Sequence, residues 1–198
     1  MKILNLYAGV GGNRRLWSDE HKITAIEIKP EIANIYKDIY PDDNVIIADA
    51  HAYLLEHYKE FDFIWSSPPC PSHSKLRFMH EKKIYPNMEL YQEIILLKHF
   101  ATGKYVIENV IPYYEPLIKP TKILHRHLFW SNFSISDKQF KPLQTCKAIG
   151  ERALLQAEFG INLDEYKGID KRTVIRNCVV PELGLHILSE ATKQLSLF

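Results

Sequence analysis

The first 110 residues of the chain repeat one grammar, and it constrains the fold more than any other feature. Short β-rich apolar runs alternate with longer helical patterns: ILNLY and a Gly-rich turn; ITAIEI, then PEIANIYKDIY; VIIAD, then AYLLEHY; FDFIWSS, then a polar loop and MELYQEIILLKHF; finally KYVIENV. Strand and helix in alternation predict an α/β fold, a mostly parallel sheet with helices on both faces. Pro30 suits a first helical turn, Ile32, Ile35, Tyr36 and Ile39 recur at helical spacing, and Pro41 ends that helix. A helix is also expected after the Gly-rich turn. From Ile111 the alternation weakens. IPYYEPLIKP, with three prolines, reads as an ordered connection, and LHRHLFWSNF as a last strand-like run. The segment from Ser134 to Arg172 holds one helical pattern, KAIGERALLQAEF, and Pro181 to Lys193 holds another.

At 198 residues and 46% hydrophobic, the chain is long enough for one domain with a substantial core, residues 1–198. A net charge of +1 advertises no acidic partner, so nucleic acid would have to be met by a local patch. Cys70, Cys146 and Cys178 fit neither a disulfide framework nor a paired-cysteine zinc site, so no metal is expected and a reducing cytoplasm is. The opening MKILNLY has no basic-then-apolar leader, and no apolar run approaches the ~20 residues that cross a bilayer. The expectation is a cytoplasmic protein with no membrane partner.

Several polar residues fall where the strands end. Gly9, Gly11 and Gly12 let the backbone turn sharply and approach a ligand, or simply join strand to helix. Glu27, at the end of the second strand, is placed to take both hydroxyls of a ribose, or is a helix-start charge. Asp49 could meet an adenine amino group, or cap the AYLLEHY helix. Doubly wound sheets bind ligands along this rim, so the three together outline a nucleoside pocket. Cys70 lies just past the fourth strand. A free cysteine is usually a small buried hydrophobe, but Pro68 and Pro69 stiffen the approach to this thiol, which packing alone does not need. Glu108 ends the fifth strand; partial desolvation there predicts a raised pKa and a proton to hold or deliver near neutral pH.

LYAGVGG, AIEIKP, IIAD, SSPPC and IENV, in this order, resemble the DNA cytosine carbon-5 methyltransferases, and RNCVVPELG is similar to that family's last motif. The resemblance implies a Rossmann-like S-adenosylmethionine-dependent methyltransferase fold, with DNA as partner and S-adenosylhomocysteine as product. By resemblance, Tyr7, Gly9, Gly11, Gly12 and Pro68 line S-adenosylmethionine. Glu27 takes its ribose, Asp49 its adenine, and Asn177 and Val179 its methionine end. Cys70 is then the nucleophile and Glu108 its partner at the base. The loop SHSKLRFMHEKK, with Ser74, Lys75, Arg77, Lys82 and Lys83, is placed to meet phosphates, or is a solvated charged loop.

The chain departs from the family in three places. Pro71 stands where the family has glutamine. In ILHRHLFW, His125 and His127 occupy the family's arginine slots, with Arg126 out of register. Residues 134–172 replace a large target-recognition domain, so sequence selectivity is expected to be short or relaxed. The tail QLSLF, with Gln194, Leu195, Leu197 and Phe198, resembles a bacterial sliding-clamp-binding peptide and implies the clamp as a second partner, in a bacterial or phage-infected cell. Two other readings stand beside DNA methylation: cytosine methylation in RNA or a free nucleotide, and a catalytically silent, clamp-bound DNA-binding protein.

Overall fold

The computed structural model describes residues 1–74, 84–141 and 150–193. Seven strands form one sheet: β1 (Lys2–Leu6), β2 (Lys22–Glu27), β3 (Asn44–Ile47), β4 (Phe63–Ser66), β5 (Lys104–Val110), β6 (Lys122–Leu124) and β7 (His127–Ser131). Their order is β3-β2-β1-β4-β5-β7-β6. The first five are parallel, and β7 runs antiparallel to both of its neighbours. The chain winds outward from β1 to β3 on one side and crosses to β4 and β5 on the other. A crevice therefore opens at the carboxyl ends of β1 and β4, where such sheets bind ligands.

Alternation along the strands feeds two cores. Ile3, Ile23, Phe63, Trp65, Val106 and Phe129 face one side, and Leu4, Leu6, Ile26, Ile64, Ile107 and Leu128 face the other. The second side is covered by α2 (Ala50–His57) and α3 (Glu89–Phe100) through Leu54, Leu90, Ile94 and Leu97. The first is covered by α1 (Pro30–Ile39), α4 (Glu151–Phe159), α5 (Lys171–Arg176) and α6 (Pro181–Lys193). The α/β sandwich with helices on both faces is therefore the observed architecture. Pro30 sits in the first turn of α1, and the helix stops at Tyr40, ahead of Pro41. Within 134–172, Ile135, Leu155, Phe159, Ile161 and Leu163 join the same core as Leu183 and Ile187 of α6. Among the described residues no helix is long and apolar enough to cross a membrane.

Two sequence expectations are corrected. LHRHLFWSNF is not one strand: Leu124 pairs with His127, and His125 and Arg126 form a two-residue turn in which His125 takes φ +54°. A tight hairpin turn needs a left-handed residue, which costs a non-glycine roughly 1–2 kcal/mol. Nor does an α-helix follow the Gly-rich turn. Residues 11–17 close i to i+3 turns instead, Arg14 N to Gly11 O at 3.1 Å and Trp17 N to Arg14 O at 2.9 Å. Arg14 is drawn inward, where its Nε donates to Asp43 Oδ2 at 3.0 Å and its Nη1 to the Trp17 carbonyl at 2.9 Å. Trp17 packs on Phe63 and Trp65.

Asp43 is buried and also accepts from Tyr36 Oη at 2.8 Å. Removing Arg14 leaves that carboxylate without its cation, so Arg14→Ala is expected to cost about 3–5 kcal/mol. At a few degrees per kcal/mol for a chain this size, its melting temperature falls by roughly 10 °C. A thermal melt that moves less than about 3 °C would show that the pair is dispensable.

Candidate active site

The rim begins at the end of β1. Tyr7 adopts φ +56° and Gly9 φ +55°, and Gly9 N donates to Glu27 Oε2 at 3.0 Å. Glu27 also accepts from Lys29 N at 3.0 Å through Oε1. The carboxylate thus ties the Gly-rich loop to the end of β2, with lone pairs remaining for hydroxyl donors. A Cβ on Gly9 would meet nothing within 4 Å, so the space beside its backbone is open. The other two glycines answer to packing. A Cβ on Gly11 would lie 2.4 Å from the Tyr40 ring, and one on Gly12 2.6 Å from Cys178 Cβ and 2.8 Å from Val179 O. Asp49 caps α2, its Oδ1 accepting from Ala52 N at 2.8 Å.

The chain's end returns to this loop. Asn177 closes α5, Val179 is buried, and Gly184 of α6 presses against the backbone of Asn13. Val179, far from the glycines in sequence, therefore lies beside Gly12 in space, with Asn177 two residues before it.

The second half of the rim is made by β4 and β5. Asn109 Nδ2 donates to Pro68 O at 3.0 Å, joining the tips of the two strands. Pro68 is buried, and past it Cys70 O accepts from His73 N and Ser74 N, each at 3.0 Å, closing a tight turn around the half-buried thiol. Ser74 bridges to Pro112, and Tyr113 N donates to His73 O at 3.0 Å, so the prolines after β5 brace the cysteine loop. Lys75, Arg77, Lys82 and Lys83 lie outside the described residues, as do Gln194, Leu195, Leu197 and Phe198.

Glu108 and His127 come from opposed strands, β5 and β7, with His127 opposite Val110. Both are buried, and Glu108 Oε1 meets His127 Nδ1. Arg126 Nε donates to His127 Nε2 at 3.3 Å, while the His125 ring stacks on His127 with centroids 6.3 Å apart. Burial pushes the Cys70 thiol up, the Glu108 charge pushes it further, and Arg126 opposes. Here the expectation for Glu108 is corrected. Burial alone would raise its pKa, but His127, a hydrogen bond from Ser67 and the Arg126 charge together hold it below the ordinary carboxylate range. At rest the acid is a carboxylate and the thiol keeps its proton. Burial also lowers the pKa of His125, with His127 and Arg126 adding to the shift.

One buried carboxylate went unread in the sequence. Glu93 of α3 is fully buried and accepts from Tyr7 Oη at 2.6 Å, Ser66 Oγ at 2.5 Å and His51 Nδ1 at 3.2 Å, linking the ends of β1 and β4 to the start of α2. Hydrogen bonding to Glu93 raises the pKa of His51. The signal was present: Leu90, Glu93, Ile94 and Leu97 form one apolar stripe at helical spacing, and a carboxylate inside such a stripe needs buried donors.

An open, mostly parallel α/β sheet thus carries along one rim a glycine turn, the Glu27 carboxylate, Cys70 and Glu108, the layout of a doubly wound ligand-binding protein. The family model for C-5 cytosine-specific DNA methylases matches residues 1–113, and the chain belongs to that family. Gly9, tied to Glu27 and with nothing within 4 Å of where a Cβ would stand, leaves open space at the end of β1. No curated protein sequence matches the chain significantly. Among solved structures, a Spodoptera frugiperda DNMT2 mutant is 26% identical, covering 55% of this chain and 35% of its own, with a TM-score of 0.39. The S. pombe Dnmt2 methyltransferase is 20% identical over 56% of this chain and 36% of its own, with a TM-score of 0.42. A SAM-dependent methyltransferase from Agrobacterium tumefaciens is 12% identical, over 58% and 40%, with a TM-score of 0.44. The chain spans about a third of the length of the two Dnmt2 structures.

Proposed function

We propose that this protein methylates carbon 5 of cytosine in DNA through a covalent bond from Cys70. The observation that carries the reading is the joint between β4 and β5. The Asn109 bond to Pro68 ties the segment that leads to Cys70 to the residue that follows Glu108 in β5.

Carbon 5 of cytosine is too electron-poor to accept a methyl group directly. Addition of the Cys70 sulfur to carbon 6 pushes electron density toward carbon 5. Glu108, on taking up a proton as the base binds, would share that proton with ring nitrogen 3 as negative charge arrives there, an interaction stronger in the transition state than in the ground state. S-adenosylmethionine, when bound, supplies an electrophilic methyl on its sulfonium. Glu27 would hold its ribose hydroxyls, Asp49 its adenine edge, and Tyr7, Gly9 and the Asn177–Val179 backbone its remaining length. Loss of the carbon-5 proton then expels the thiolate and restores the ring. A stacked target base must first be extruded, which costs a few kcal/mol. The positively charged segment that would meet its phosphates is the one beyond Ser74.

Labelled methyl donor offered with duplex DNA, single-stranded DNA, RNA and dCMP tests the reading. Counts are expected in duplex DNA at cytosine carbon 5, and Glu108→Gln is expected to lower the rate on the order of 10²–10³-fold. Transfer to RNA or dCMP alone would move the substrate class, and no transfer to any of them would remove the enzymatic reading.

A further inference from the structure

The segment from Ser134 to Arg172 stands where the family carries a recognition domain, yet its apolar residues Ile135, Leu155, Phe159, Ile161 and Leu163 go into the core of the sheet. What its last helix carries to the surface is charge. We infer that Arg172 and Arg176 of α5, together with Arg126 of the turn between β6 and β7, form a binding surface for the phosphates of duplex DNA on either side of Cys70. The inference rests on the reading of DNA as the substrate.

The two arginines of α5 are held from beneath. Glu151, the first residue of α4, is buried, and its carboxylate takes both side chains, which stand one helical turn apart. Arg172 Nε donates to Glu151 Oε2 at 2.9 Å, and its Nη2 lies 2.7 Å from the same oxygen. Arg176 Nε lies 3.7 Å from Oε1. The acid thus anchors the inner edge of each guanidinium, while the side chains remain 53% and 43% exposed. A guanidinium carries five N–H donors in a rigid fork and keeps its charge at any working pH, so each retains outward donors for a phosphate. Asp170, which caps α5, turns to Thr173 instead: its Oδ1 accepts from Thr173 N at 3.1 Å and its Oδ2 from Thr173 Oγ1 at 2.6 Å.

The topology puts this charge at the rim. α5 runs into Asn177, Cys178 and Val179, and the last two press on Gly12 in the loop after β1. Arg126 stands on the other flank, its carbonyl accepting from Ile111 N at 3.4 Å just past β5. β4 lies between β1 and β5 in the sheet, so the cysteine loop that follows β4 starts between the two flanks. Arg126 is exposed, and its Nε donates to His127 Nε2 at 3.3 Å. Partial desolvation of its guanidinium lowers its pKa, and the Arg176 charge adds to that shift, against Glu108 and Cys70. A phosphate set between the two arginines relieves their repulsion. With a net charge of only +1, the chain must meet DNA through a local patch of this kind. Backbone contacts fix register and orientation without reading bases, so such a surface holds a duplex of any sequence.

The test is the salt dependence of duplex binding, read without methyl transfer. Anisotropy of a labelled duplex, with S-adenosylhomocysteine present, gives the slope of log affinity against log salt concentration. Arg126→Ala, Arg172→Ala and Arg176→Ala are each expected to flatten that slope by about 0.9, the loss of one phosphate contact. Each should weaken binding about equally on duplexes of unrelated sequence. Arg172→Lys and Arg176→Lys keep the charge and are expected to keep the wild-type slope, which guards against an alanine variant that has merely lost its fold. Lys98 lies in the last turn of α3, ahead of β5 and away from the rim, so Lys98→Ala is expected to change nothing. Unchanged slopes in Arg172→Ala and Arg176→Ala overturn the inference, as does a flattening that lysine at these positions or Lys98→Ala produces equally. A failure of the methylation reading shows separately, as a wild-type protein that binds the duplex and transfers no methyl to it.

Discussion

Cys70→Ala is expected to abolish methyl transfer, by at least ~10⁴-fold, while leaving the affinity for S-adenosylhomocysteine within about twofold of wild type. No other described thiol can take over. Cys178 is buried between α5 and α6, its pKa is pushed up to about 12 by burial, and its Sγ donates to the Val174 carbonyl at 3.5 Å. Without the sulfur, carbon 5 is never activated, and the loss falls on the chemical step, not on binding. Alanine at position 70 also leaves the turn intact, because that turn is made by the Cys70 carbonyl accepting from His73 N and Ser74 N. Two measurements check this: single-turnover transfer from labelled methyl donor, and calorimetric titration with S-adenosylhomocysteine. DNA carrying 5-fluorocytosine should trap a covalent adduct with wild type and none with Cys70→Ala. An adduct that survives the substitution places the nucleophile elsewhere.

How much of this was legible beforehand depends on the range of the interaction that decides each feature. The parallel sheet was readable because each strand announces itself locally, in four to seven apolar residues followed by a helical stripe. Glu27, Asp49, Cys70 and Glu108 were readable as rim residues for a similar reason: Glu27 closes β2, Asp49 and Cys70 follow β3 and β4 within four residues, and Glu108 lies two residues before the end of β5. The missing helix after the Gly-rich turn was not readable. What decides it is Arg14 reaching Asp43, twenty-nine residues away, and the chain's last helix lying where Asn13 would need room. The hairpin at His125 was hidden because its turn lacks glycine and asparagine, the residues that usually signal one. The ionisation of Glu108 was misjudged for a related reason. Burial of a strand-tip acid can be read from its neighbours in sequence, whereas the partner that reverses its effect arrives from β7 through a cross-strand register no local pattern specifies.

The same long-range logic makes Gly184 the glycine whose loss should matter most. A Cβ there would stand 2.2 Å from Asn13 O and 2.8 Å from Asn13 Cα, inside backbone that has no rotamer to change. To admit a methyl group, α6 must back away from the Gly-rich loop. Leu183, Ile187, Leu188 and Ala191 would withdraw with it from the core they share with Ile3, Val10 and Trp17. Gly184→Ala is therefore expected to cost about 2–4 kcal/mol despite the better helix propensity of alanine. That corresponds to a melting temperature lower by roughly 5–15 °C. Because Gly12 is held against Cys178 and Val179 by the same closure, affinity for S-adenosylhomocysteine should fall together with stability, by about tenfold or more for 1.4 kcal/mol of loop displacement. Gly168→Ala is the control: its φ of +78° carries the usual left-handed strain of roughly 1–2 kcal/mol, but nothing lies within 4 Å of the added carbon. Differential scanning calorimetry with and without the ligand separates the two. If Gly184→Ala melts with or above Gly168→Ala and binds the ligand normally, α6 does not hold the cofactor loop in place.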